Sequence, residues 1–304
     1  MKTERSTQRK KRKTRSDIRV AVVFLAPLLL VYAVYFIYSI FFLAQTSMTK
    51  VGISLRNAVD VGWLNFQMLV GDATFGRAIL NNLLFAAVSV AVAVTIGFFI
   101  AVALATGVRA RKLFYLVFLL PALIPVSLVA TVFGAMFQER FGIVNETLRA
   151  IGLGGLAQSW LNEPGPAFAV VATLFAYLIG LPIMYYTADL AALPTDSLEA
   201  ALLDGAGTFR IMRSIIYPMM TPTHITVVLS LLLGSFRGLE QVYFSTGGGP
   251  GHSTEVVGSY LYGYINSGGK TIGFTAAAAL IVLVIALIIS IAQMFATRTR
   301  KGSR

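Results

Sequence analysis

Few side chains in this 304-residue sequence can do chemistry, and their spacing excludes most of it. There is no Cys, hence no thiol nucleophile, disulfide or cysteine metal site. The two histidines, His224 and His252, flank one apolar run and should lie on opposite sides of it, too far apart to share a metal. Ser267–Thr271 (SGGKT) ends like a phosphate-binding loop, but the first glycine of that pattern would fall on Tyr264. Thr246–Gly251 (TGGGPG) has backbone amides that could cradle an anion. Thr223, Thr226, Ser230, Gly234 and Arg237 recur every three or four residues, and Glu240 and Gln241 extend that helical face. Such a stripe suits a hydrophilic pathway. It equally suits close helix packing, with Arg237 snorkelling to headgroups. Tyr177 could stack on a sugar ring or simply pack. No catalytic constellation is visible.

The elements that must position these residues are membrane spans. The chain is 57% hydrophobic and 12% charged, with a mean hydropathy of +0.77. A soluble domain carries about a quarter charged residues. Apolar runs of span length lie at about 20–43, 79–105, 113–137, 167–190, 218–239 and 272–296. The first is too long for a signal-peptide core and lacks a cleavage site. Pro121 and Pro125 fall inside the third run and predict kinks there. The reading is an all-α polytopic membrane protein with six transmembrane helices, spanning residues 20–296.

Charge placement orients it. The net charge is +12, and 18 of the 25 Lys and Arg fall in the tail 1–19, the turn 107–112, the loop 193–217 and the tail 297–304. That excess puts both basic tails in the cytosol, with the first drawn to anionic membrane lipid. The charge is orientation, and no nucleic acid partner is implied. Gln45–Arg77 and Glu139–Pro166 are then external loops, the second rich in Gly and broken by Pro164 and Pro166.

One polar segment, Leu193–Pro218, reads as two short cytosolic helices. Pro194 ends the preceding helix, Asp196 can cap the next, and Glu199 completes a capping box. Leu198, Ala201 and Leu202 form an apolar stripe that its own short helix cannot cover. Gly205 and Gly207 permit a sharp bend, and a second helix runs from about Thr208 to Pro218. A rigid element of this kind between two spans is a docking element.

These residues carry a resemblance. Glu199-Ala200-Ala201, three residues, Gly205, nine residues, Ile215, one residue, Tyr217 and Pro218 resemble the EAA signature of ATP-binding-cassette importer permeases, where Leu usually stands at Tyr217. GWLNF (Gly62–Phe66), NNLLF (Asn81–Phe85) and the TGGGP turn resemble the maltose and glycerol-phosphate type, with Trp63 and Asn82 as departures. The resemblance implies a type I importer permease with a coupling helix between spans 4 and 5, in a prokaryotic cytoplasmic (inner) membrane. It implies a heterodimer with a second, homologous permease, two ATP-binding subunits and an extracytoplasmic solute-binding protein. This chain would bind no cofactor; ATP and Mg would be used by the partner subunits. Glu199, Ala200, Ala201 and Gly205 would be coupling positions, together with Asp204, Gly207 and Pro218. The solute would be a sugar, an oligosaccharide or glycerol-phosphate-like.

Two other classes compete. A stand-alone secondary transporter or channel predicts midplane acid–base pairs and an inverted repeat. Neither is present; Asp189 sits at the cytosolic end of its run. A membrane-tethered helix-turn-helix regulator predicts base-reading side chains and a linker, and the two short helices run straight into spans.

Overall fold

The computed structural model describes residues 20–105, 111–194, 196–266 and 271–301. The tail 1–19, most of the turn 107–112 and most of SGGKT lie outside the described residues. Helix α1 (Val20–Ser47) leads into a short antiparallel pair, β1 (Thr49–Lys50) and β2 (Val59–Asp60), with Thr49 opposite Asp60. Then follow α2 (Leu64–Val70), α3 (Ala73–Ala105), α4 (Arg111–Leu123), α5 (Val126–Met136) and α6 (Ile143–Ala150). Next come α7 (Pro164–Tyr177), α8 (Gly180–Leu190), α9 (Asp196–Leu203) and α10 (Thr208–Met219). The chain finishes with α11 (Thr221–Ser235), α12 (Leu239–Ser245), α13 (Val257–Asn266) and α14 (Ile272–Lys301).

Among the described residues, four apolar helical stretches are long enough to cross a membrane: α1, α3, Pro164–Leu190 and α14. The number rises to six if α4 with α5, bent by 95°, and α10 with α11, bent by 65°, each count as one span.

The breaks have local causes. A proline cannot donate to the carbonyl four residues back, and its ring crowds that carbonyl. The third run breaks at Ile124–Pro125, while Pro121 stays inside α4. The expected kinks thus reduce to a single break. The fourth run, expected to be continuous, breaks at Leu178–Ile179, where Pro182 leaves the Leu178 carbonyl without its helical donor. Pro222 does the same to the Pro218 carbonyl, and the Thr221 hydroxyl replaces the missing donor at 2.7 Å. The fifth run therefore starts at Thr221 and ends at Ser235, short of the expected 218–239.

Other boundaries also move. Helix α3 starts at Ala73 rather than near Ile79, because Asp72 caps it by accepting from the Thr74 and Phe75 amides at 2.9 and 3.2 Å. Pro164 and Pro166 belong to the first turn of α7, where a missing amide costs nothing. The loop expected over 139–166 contains α6.

Contacts divide the chain into two compact units, residues 1–67 with 270–280, and residues 68–269 with 281–304. In the first, buried Asn65 ties the loop to the end of α1, donating to the Ser47 and Thr49 carbonyls at 2.7 and 3.0 Å. The Ile272 amide donates to the Val51 carbonyl at 2.8 Å, seating the start of α14 against the hairpin. In the second, Phe85 of α3 stacks on Phe168 and Phe175 of α7, with centroids 4.7 and 5.0 Å apart. A second cluster joins α3, α8 and α11 through buried Phe98, Ile183, Tyr186, Met220 and Val227.

Candidate functional site

The polar segment between α8 and α11 is built by local chemistry and clamped by distant chemistry. Asp196 lies inside the first turn of α9 with Glu199, so it is not the cap outside it. Both carboxylates there face the positive end of the helix dipole. The helix ends in a Schellman turn. The Ala206 amide reaches the Ala201 carbonyl at 2.9 Å, the Gly205 amide reaches the Leu202 carbonyl at 3.0 Å, and Gly205 has φ +75. Gly207 has φ −67 and ψ 156, an extended conformation open to any residue, so the bend belongs to Gly205 alone.

Exposure then separates the apolar residues. Leu198 and Ala201 are half-buried, whereas Leu202, Leu203 and Phe209 are 62%, 89% and 67% exposed. Glu199, Ala200 and Asp204 are also exposed. The expected stripe thus splits, and its outward half continues into Leu203 and Phe209. Large apolar side chains in a polar segment, outside the helical period of its stripe, were the signal for those two.

Helix α10 connects this surface to the spans. Pro218 lies in its last turn, beside Tyr217. The Tyr217 ring stands edge-on to Phe98 of α3 at 5.3 Å and lies 4.4 Å from the His224 ring of α11. His224 Nδ1 in turn meets the Tyr186 hydroxyl of α8 at 2.8 Å. Next to this cluster the Thr223 hydroxyl donates to Asp189 at 2.5 Å. Displacement of the segment therefore bears on three membrane helices at once.

The structure places the other candidate residues less uniformly. Tyr177 ends α7 at the break, with its ring 5.4 Å from Phe133. On α11 the hydroxyls of exposed Thr226 and Ser230 bond to their own helix, at the Pro222 and Val227 carbonyls. Gly234 is exposed, and Thr223 is buried. The polar stripe does not continue, because Phe236–Gly238 form a turn between α11 and α12. Arg237 is exposed in that turn. Glu240, in the first turn of α12, accepts from the Ser127 amide of α5 at 3.0 Å.

Residues 93–301 match the family described as binding-protein-dependent transport system inner membrane component. The chain belongs to this family. It is 31% identical over 244 residues to the probable ABC transporter permease protein YurN of Bacillus subtilis, covering 79% of this chain and 83% of that one. It is 28% identical to the multiple sugar-binding transport system permease protein MsmF of Streptococcus mutans, covering 89% and 92%. A solved bacterial ABC transporter involved in the import of the acidic polysaccharide alginate contains a chain of the same fold. It aligns with a TM-score of 0.75 and 21% identity, over 94% of this chain and 99% of that one. The protein is a multi-pass inner membrane permease subunit of an ABC importer. It is a transport subunit, not an enzyme.

The permease also holds a polar network that the sequence reading missed. Asn81 donates to the Ser253 and Glu255 carbonyls at 3.0 and 2.8 Å. Fully buried Asn82 donates to the Ser235 carbonyl and accepts from the Val257 amide at 3.0 Å. Together they fasten the glycine-rich loop to α3. Within that loop the Gly247 and Gly249 amides bond to the Val242 and Thr246 carbonyls, so these two amides serve the turn rather than an anion. Asp72 accepts from the Tyr260 and Tyr264 hydroxyls at 2.7 and 3.1 Å. Burial raises the Asp72 pKa, but the four hydrogen bonds from Tyr260, Phe75, Tyr264 and Thr74 together hold it below the ordinary carboxylate range. Burial, then the bonds to Tyr264 and Asp72, push the Tyr260 phenol well up. Asn145 is a third such anchor. It bonds Glu139, Gln158 and the Trp160 indole, holding the ends of the loop around α6 together.

Proposed function

We propose that this permease spans the membrane six times over about 20–296, with tails 1–19 and 297–304 and both termini cytosolic. It pairs with a second, homologous permease and two ATP-binding subunits, and receives a carbohydrate from an extracytoplasmic solute-binding protein. No cofactor is assigned to this chain; ATP and Mg belong to the ATP-binding subunits. The α9–Gly205–α10 segment, residues 193–217, couples ATP hydrolysis to the spans. The observation that carries this reading is its two-sidedness. Leu202, Leu203 and Phe209 face outward, while Tyr217 is wedged between Phe98 and His224. Glu199, Ala200, Ala201, Asp204, Gly205, Gly207 and Pro218 are its coupling positions. The pathway is assigned to Tyr177, Thr226, Ser230, Gly234, Arg237 and Glu240. Exposed Arg237 and Glu240 support this, since a charged side chain facing hydrocarbon is costly. The carbohydrate assignment is supported by the names of relatives such as MsmF.

The test is Glu199→Ala. Loss of a merely local helix interaction costs about 1 kcal/mol or less. Loss of a charged contact across an interface costs roughly 2–5 kcal/mol. The expected outcome is a folded permease from which the ATP-binding subunits detach on purification, with uptake lost. Full retention of both would overturn the coupling assignment.

A further inference from the structure

We propose that Glu240 is a specificity-determining residue: it keeps the pathway selective for neutral solutes over anionic ones. This rests on the pathway reading above and narrows its solute class. The third apolar run, 113–137, is broken at its middle, and α5 begins there with an extended Pro125 whose side chain cannot cap it. Eleven residues of aligned peptide dipoles follow. A helix start inside a membrane protein carries partial positive charge and unpaired amides, the chemistry that holds the anionic group of a solute in discontinuous spans. In this permease the chain supplies that anion itself. Glu240, 113 residues away in sequence, puts its carboxylate 3.0 Å from the Ser127 amide.

The arrangement is held by more than that bond. Helices α5 and α12 pack so closely that a Cβ on Gly134 would stand 3.1 Å from the Ser245 carbonyl. Val242 of α12 is fully buried, as is Ala130 of α5. Glu240 is nonetheless exposed, as is Arg237 on the preceding turn, which makes no ion pair among the described residues. Without Glu240, the α5 start would be bare and the positive charge of Arg237, three residues earlier in sequence, uncompensated, and both would attract carboxylates, sulfonates or phosphates. With it, the formal charges of Arg237 and Glu240 cancel and the helix start is occupied. What passes is then recognised by hydroxyl hydrogen bonding rather than by charge.

Two measurements test this on the complete transporter, with its partner subunits and binding protein, reconstituted in liposomes. The first is the charge of the solute that the binding protein delivers. A neutral solute is expected, and a uronate, sulfonate or phosphate ester would overturn the proposal. A neutral solute that is not a carbohydrate would sink the carbohydrate reading and leave this one standing. The second is inhibition of uptake by sodium glucuronate, used as an anion probe. In Glu240→Ala and Glu240→Gln the inhibition constant should fall about two- to fivefold, the range expected for one charge at a helix end. Glu240→Gln keeps an oxygen for the Ser127 amide, so it reports on charge even where Glu240→Ala fails to assemble. Equal glucuronate inhibition in wild type and Glu240→Gln would overturn the assignment.

Discussion

The Tyr186 hydroxyl lies 2.8 Å from Nδ1 of His224, and the Tyr217 ring covers the same imidazole at 4.4 Å. One histidine on α11 thus contacts both α8 and the end of α10. Tyr186→Phe removes the hydroxyl and leaves a ring nitrogen unpaired beside fully buried neighbours. A loss of about 1 kcal/mol is expected, measured as a lower unfolding midpoint in detergent. Tyr217→Ala should act differently, with ATP hydrolysis by the assembled transporter persisting while uptake falls. Unchanged uptake per ATP in Tyr217→Ala would rule out the wedge.

The Schellman turn separates two glycines that look alike in sequence. No atom lies within 4 Å of a Cβ built on Gly205, so substitution there meets only the backbone penalty at φ +75. That penalty is roughly 1–2 kcal/mol, larger for a β-branched residue. Gly205→Val should therefore release the ATP-binding subunits, Gly205→Asn should largely retain them, and any loss in Gly207→Ala should be smaller than in Gly205→Val, since Gly207 is already extended. Co-purification of the subunits distinguishes the three.

Asn82→Ala is expected to be among the most destabilising single changes in the permease. It strands the Ser235 carbonyl and the Val257 amide in a fully buried place, at about 1–3 kcal/mol for each. Thermal unfolding of the purified chain measures this. Asn82→Thr should recover only part of the loss, because Thr is too short to reach both partners.

Asp72 should make the N-terminal end of α3 acid-sensitive. Its folded pKa lies below the unfolded value of about 3.9. Its stabilisation is therefore complete above the unfolded pKa and is lost as pH falls through the folded one. Tyr260 works at the other end. Its raised pKa gives stability that is complete below about pH 10 and is lost as pH rises further. Asp72→Asn should flatten the acid limb of an unfolding-midpoint profile between about pH 5 and 3 and leave neutral pH the better place for wild type. An unchanged acid limb would contradict the assignment.

What the sequence determined by itself is whatever depends on neighbours along the chain. Apolar runs of span length, Lys and Arg clustered between them, and the glycine that ends α9 all act within a few residues. Pro125 belongs here too, since the carbonyl it leaves unpaired is four residues away. Pro182 and Pro222 follow the same rule, each freeing the carbonyl four residues back. Tertiary structure decided where polar side chains find partners. Glu240 and Asn82 sit in segments whose periodicity fits several faces equally well. Their partners, Ser127, Ser235 and Val257, are 113 to 175 residues away. No local pattern encodes such a pairing. It follows only when the helices pack and leave a carboxylate or an amide beside a backbone group that nothing else can satisfy.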